Sequence, residues 1–327
     1  MSIKSNILSY SDTINRTLDY LLSIDNSVLV IGQGVKSPWY VGSTCNGLVD
    51  KFGEERVIET PISENGITGV AVGAAIAGMR PIVVHPRMDF MLFAFDPIIN
   101  EAANWSYMNG GRSSVPVIFW GIINRGGEQA AQHSQALYSM FAHVPGLKVI
   151  AASTPYDVKG LLISAIRDPN PVVFIDDRWL YSITGEVPDE EYSVPIGKGI
   201  IRRSGKDVSI ISFSYTMQLA SKAAEALVKE GVDVELIDLR TIKPYDKELL
   251  SETAKKTGKI VIVDGSWKTC GFSAEISSFI SEYSFKFLRA PIIRINLPDI
   301  PAPASNILEA EYYITTDKII RAVKKIL

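Results

Sequence analysis

Short, unbroken runs of valine and isoleucine recur along this chain. In its first half they are SVLVIG, RPIVVH, VPVIFWGI, GLKVIAAS and NPVVFID. Runs that are apolar at every position, rather than at every second one, suit strands buried on both faces of a parallel sheet. The segments between them carry helical spacing, as over residues 154–168. The opening stretch, MSIKSNILSYSDTINRTLDYLLSIDNSVLVIG, reads as an amphipathic helix followed by a buried strand. After Tyr181 the pattern breaks: SITGEVPDEEYSVPIGK is polar, holds two prolines and has no periodicity, which marks a domain boundary. A second strand-helix series follows, with DVSIISFS, a helix over 215–230, VDVELIDLR, KIVIVDG and PIIRINLP. The pattern therefore predicts an α/β fold of two doubly wound domains: residues 1–185, a linker over 186–199, and a smaller domain over 200–327.

Composition narrows the function classes. The 327 residues carry a net charge of −3 with 46% hydrophobic positions, so neither nucleic acid nor a membrane surface is the expected partner. No apolar run approaches the roughly 20 residues that span a bilayer, and the N-terminus lacks the features of a secretory signal. The two cysteines, Cys45 and Cys270, suit a reducing compartment. A cytoplasmic location is expected.

The most informative segment is TPISENGITGVAVGAAIAGMRPIVV. Gly66, Gly69, Gly73 and Ala77 fall at i, i+3, i+7 and i+11, a row of small residues down one helix face. Each glycine inside a helix costs about 1 kcal/mol relative to alanine, so the row implies close approach of another backbone, or tight packing in a single core. Glu64 stands at the start of this helix, where a carboxylate is also favoured simply by the helix dipole.

This segment resembles the one in beta subunits of thiamine-diphosphate-dependent 2-oxo acid dehydrogenases that carries the cofactor-activating glutamate; transketolases have a related segment. The resemblance runs from about residue 10 to the end, through LIDLRTIKPYD, GFSAEI and LPDIPAP. It identifies the first domain as a pyrimidine-binding domain and the second as a transketolase C-terminal-like domain. It gives Glu64 the aminopyrimidine-activating role, places Ile62 and Phe90 against the cofactor, and makes His133, within AAQHSQALYSMF, a proton-relaying or substrate-orienting residue. It implies a structural monovalent cation, potassium, at Asp168 and Asn170 in AIRDPNPVVFIDD, a loop that on its own reads as a turn. His143 has no matching role.

The magnesium-diphosphate motif of such enzymes is missing. Val263-Asp264-Gly265 is a similar string without the asparagine pair that should follow it. The resemblance therefore implies Mg²⁺ ligands on a separate alpha subunit, an alpha2beta2 heterotetramer, thiamine diphosphate bound across the interface, and a lipoyl-bearing acyltransferase as acceptor. The chain also departs from the family. GQGV replaces two acids with Gln33 and Gly34, and VVHPRMDFMLFAFD brings His85 and Arg87 to positions neutral in ordinary members. Phe93 stands where glutamine is common, and INRGGEQ adds Arg125 and Glu128. His85, Arg87 and Arg125 are thus candidate substrate residues. Arg87 pairing with Asp89 is the competing structural role. A beta subunit of a 2-oxo acid decarboxylase is the leading expectation. A split transketolase-like enzyme moving a ketol unit, and a non-catalytic regulatory subunit, are the alternatives.

Overall fold

A computed structural model describes residues 5–327. The chain divides into one unit of the residues up to Arg125 with Met140–Ile196, and a second of Gly126–Ser139 with Gly197–Leu327. The boundary thus falls at the end of the expected linker, and the segment that holds His133 packs with the second unit rather than the first.

In the first unit the parallel strands run in the spatial order Lys148–Ile150, Val172–Asp177, Ile118–Ile123, Arg80–His85, Val28–Gly32, Val57–Glu59. The central four are buried at nearly every position, as unbroken apolar runs require. Helix Tyr10–Ile24 turns Tyr10, Ile14, Leu18, Leu21 and Leu22 to the core, and Ser9 caps it by accepting from the Asp12 amide at 3.1 Å. Helix Pro155–Arg167 starts on Thr154, which accepts from the Asp157 amide, with proline in the first turn.

The polar stretch after Tyr181 is not wholly linker. Thr184–Pro188 forms a strand antiparallel to Ser5–Ser9, from Ser5 opposite Pro188 to Ser9 opposite Thr184. Its partners are backbone groups on an exposed ribbon, so it needs no apolar run to form. Met88–Ala94 is a 3₁₀ helix, followed by a π-helical turn over Asp96–Ala102 and helix Ala103–Met108.

The second unit holds a five-stranded sheet in the order Ile293–Leu297, Ile260–Trp267, Val208–Ser212, Val234–Asp238, Ile200–Arg203. All pairs are parallel except the last, which is antiparallel. Helix Ser214–Lys229 spans almost the stretch its periodicity predicts. Asp264 of the string Val263-Asp264-Gly265 is fully buried and accepts from the amides of Ser266 and Ser273 at 3.1 and 2.9 Å and from the Tyr138 hydroxyl. It is a structural anchor.

Candidate active site

Ligands of open parallel sheets bind beyond the carboxyl ends of the strands. In the first unit a cavity of about 440 Å³ lies there, where Val28–Gly32, Val57–Glu59 and Arg80–His85 run out. Its walls include Ile62, Glu64, His85, Arg87 and Phe90, five of the residues singled out from sequence, together with Gln33, Tyr40 and Phe93.

Glu64 is the first residue of helix Glu64–Ile76, and the capping residue Ser63 makes no side-chain cap bond. Glu64 makes no hydrogen bond or ion pair among the described residues. A first-turn carboxylate serving only the helix would bond its amides; this one stands half-buried at the cavity wall. Beside it Ile62 is 71% exposed and Phe93 68%. Such bare apolar side chains around one carboxylate suit a flat, mostly apolar ring that offers a single nitrogen.

The row of small residues does not pack into this unit's own core. Gly66, Gly69, Gly73 and Ala77 are all exposed, and a Cβ added at Gly69 or Gly73 would meet nothing within 4 Å. Val70, between them, is 64% exposed. The opposite face, with Ile67, Thr68, Ala71, Val72 and Ala75, is buried. Single-core packing is therefore ruled out for this row.

His85 ends its strand and is 1% exposed. Burial pushes its imidazole down to about 4, so it is neutral at ordinary pH. Its Nε2 lies 3.3 Å from the Thr68 hydroxyl, while Nδ1 has no partner. Arg87, just beyond Pro86, is half-buried. Its Nη1 donates to the Pro86 carbonyl at 2.8 Å, its buried Nε has no partner, and it forms no ion pair among the described residues, Asp89 included. The guanidinium sits 6.0 Å from the Tyr40 ring centre. Tyr40 is fixed by Gln33 Nε2, which donates to its hydroxyl at 2.9 Å, and by Arg178, which donates to its carbonyl. Glu59 holds the loop that carries Gln33 by accepting from the amides of Gly34 and Lys36 at 2.6 and 2.9 Å.

Four candidates, Arg125, Asp168, Asn170 and His133, lie elsewhere. Arg125 does not line the cavity: its Nε donates to Asp177 at 2.6 Å in a buried ion pair. The substrate contact expected of it gives way to structure, because Asp177 at the end of the neighbouring strand is a nearer charge partner. Asp168 is ion-paired to Lys148 and also accepts from the Asn170 amide at 2.9 Å. This is an Asx turn whose carboxylate is paired with Lys148. His133 is half-buried in the second unit and does not line the cavity. Sequence reasoning missed Tyr40 and Arg178. The only signal for Tyr40 was its place in the loop after the Val28–Gly32 strand, and a loop tyrosine is too common to single out.

Residues 7–183 match the transketolase pyrimidine-binding domain, and residues 197–319 match the transketolase C-terminal domain. The chain is 41% identical to the acetoin:2,6-dichlorophenolindophenol oxidoreductase subunit beta of Cupriavidus necator, covering 97% of each. It is 42% identical to the mitochondrial pyruvate dehydrogenase E1 component subunit beta of Dictyostelium discoideum, covering 96% of this chain and 90% of that one. It is 39% identical to the 2-oxoisovalerate dehydrogenase subunit beta of Bacillus subtilis, covering 98% of each. A solved structure described as a split gene transketolase, inactive beta4 tetramer, shares the fold with a TM-score of 0.80 at 22% identity over 98% of both chains. The chain thus belongs to the family of thiamine-diphosphate-dependent 2-oxo acid dehydrogenase beta subunits, built from transketolase-type pyrimidine-binding and C-terminal domains.

Proposed function

We propose that this chain supplies the pyrimidine half of a thiamine-diphosphate site, with Glu64 as the activating carboxylate, and that an alpha subunit completes the site. The observation that carries this reading is the Glu64 carboxylate, unpartnered among the described residues, on a cavity whose apolar walls include Ile62, Ile67, Val84 and Phe90. When bound, the cofactor supplies the carbon nucleophile and electron sink for cleavage beside a carbonyl. Glu64 accepts a hydrogen bond from the aminopyrimidine ring nitrogen and holds the proton there, while Ile62 and Phe90 pack the ring and exclude water. His133 is kept as a proton-handling candidate of the second unit.

Among the described residues no group of three or more His, Cys, Asp or Glu is placed to hold a metal ion. The Mg²⁺ that would neutralise the phosphates is assigned to the alpha subunit. The exposed glycine row of helix Glu64–Ile76 supports a close helix partner, and an alpha2beta2 heterotetramer follows if each site uses one chain of each kind. Pyruvate, acetoin and 2-oxoisovalerate, the substrates in relatives' names, support cleavage beside a carbonyl as the reaction class; a lipoyl-bearing acyltransferase is our proposed acceptor. Among the described residues no helix is long and apolar enough to cross a membrane. We place the protein in the cytoplasm, although the Dictyostelium relative is named as mitochondrial.

Glu64→Gln keeps the volume but weakens the acceptor. In the complex reconstituted with the alpha subunit, turnover should fall by roughly 10²–10⁴-fold while assembly, followed by gel filtration, is unchanged. Activity within about threefold of wild type would remove Glu64 from this role.

A further inference from the structure

Arg87 is a charge the fold has positioned but not paired. Its guanidinium lies against a tyrosine ring held on both sides, by Gln33 through the hydroxyl and by Arg178 through the carbonyl. Of its nitrogens, Nη1 is satisfied by the Pro86 carbonyl, and the buried Nε has no partner among the described residues. Arg178 adds a second positive charge close enough to repel it, and its own Nε is buried without a partner. The groups of opposite tendency are Asp89, Tyr40 and Tyr181, and their attraction is outweighed: desolvation first, then Arg178, hold the guanidinium below its ordinary pKa. A half-buried cation in this condition lacks an anion. Among the described residues no acid lies in ion-pair range of it, and the guanidinium lines the cavity that Glu64 also lines.

We propose that Arg87 is the specificity residue of this cavity, binding an anionic group, carboxylate or phosphate, that the donor substrate keeps throughout the reaction. The proposal rests on the cofactor reading of Glu64, since it makes the cavity the donor's site as well. The retained group, rather than a 2-oxo acid's departing carboxylate, is the one this geometry suits. An arginine locked onto a carboxylate that must leave as neutral carbon dioxide stabilises the ground state more than the transition state and slows the step. An anion at the far end of the donor keeps its ion pair from binding to release, and the planar fork of Arg87 is suited to either carboxylate or phosphate. Phe93 and Ile62, on the same walls, leave the middle of such a donor an apolar path.

The test uses the complete complex with alpha subunit, thiamine diphosphate and Mg²⁺, and an artificial electron acceptor. Pyruvate, which has no second anion, is compared with 2-oxoglutarate and with xylulose 5-phosphate. One of the two doubly functional donors should exceed pyruvate in kcat/KM by about tenfold or more, and which one identifies carboxylate or phosphate. Arg87→Met should raise the KM for that donor by roughly tenfold or more with kcat changed by less than about threefold, and Arg87→Lys should recover part of the loss. Thiamine diphosphate affinity, read by tryptophan fluorescence, should stay within about twofold. A second readout needs no turnover: calorimetric titration with inorganic phosphate and with malonate, one of which should bind wild type and bind Arg87→Met about tenfold more weakly. Pyruvate preferred in wild type, Arg87→Met without effect on KM, anions bound equally by both proteins, or a variant whose only defect is lost cofactor or subunit binding would each overturn the proposal. Because anion binding is measured apart from catalysis, a failure of the Glu64 assignment, seen as turnover indifferent to Glu64→Gln, is distinguishable from a failure of this one.

Discussion

Arg87 and Arg125 follow neighbouring parallel strands. Each lies two residues past its strand, Arg80–His85 in one case and Ile118–Ile123 in the other. Arg125 meets Asp177 and is buried with it. Arg87, with no acid in ion-pair range, is left at the cavity wall. The same contrast separates Asp168, neutralised by Lys148, from Glu64, whose carboxylate no group satisfies among the described residues. A charge that the fold has already paired serves the fold. One held in place with its bonding capacity unused is available to a ligand.

Breaking the paired member of each comparison should cost the most stability. Arg125→Met strands the Asp177 carboxylate in a buried setting and should destabilise the chain by about 3–5 kcal/mol in urea denaturation. Arg87→Met removes no ion pair and should cost less than about 1 kcal/mol. Equal losses for the two variants would erase the distinction drawn between them.

The same distinction explains what was legible in the sequence. The strands around the cavity were readable because double-sided burial writes itself as unbroken apolar runs, as in RPIVVH and VVFIDD. Ile62, Glu64 and Phe90 were readable through their motif. His85 and Arg87 were readable as departures from the family pattern, but the 3₁₀ helix that follows them from Met88 was not. The loss of Arg125 to Asp177 was hidden, because the pair spans 52 residues and depends on strand order. For the same reason Thr184–Pro188 looked like linker: a strand paired through backbone alone leaves no side-chain pattern.

Two buried titrating groups, Asp176 and His85, give a smaller effect, visible only when they are separated. Burial raises the Asp176 carboxyl to about 7, against hydrogen bonds from Tyr181 and Trp120 at 2.6 and 3.0 Å. The folded chain then holds that proton up to about pH 7 while the unfolded chain loses it near 3.8, so stability falls as pH rises through this window. His85 works in the opposite sense. Its folded value of about 4 lies below the ordinary 6.5, so the unfolded chain binds the proton more readily and stability rises with pH from about 4 to 6.5. The two slopes oppose one another in wild type. Asp176→Asn should leave a stability that climbs with pH over this range, and His85→Gln one that declines, each by up to a few kcal/mol in denaturation series at fixed pH. Two parallel profiles would show that neither group titrates as its burial implies.

The smallest effect tests whether the glycine row belongs with the paired or the unpaired features. Gly69 sits in the interior of helix Glu64–Ile76 with ordinary helical geometry and open space around its missing Cβ. If nothing ever covers this face, the glycine is simply a poor helix former, and Gly69→Ala should stabilise the isolated chain by about 0.5–1 kcal/mol. That gain is expected here, because the isolated chain offers the methyl group no collision. In the complex the sign should reverse. A backbone packed against Gly69 has no room for a Cβ, so the same substitution should weaken association with the alpha subunit, and Gly69→Val should weaken it further. Denaturation of the chain alone and sedimentation of the mixture measure the two halves separately. Stabilisation in both settings would show that the row faces solvent in the working enzyme, and that the helix partner proposed for it lies elsewhere.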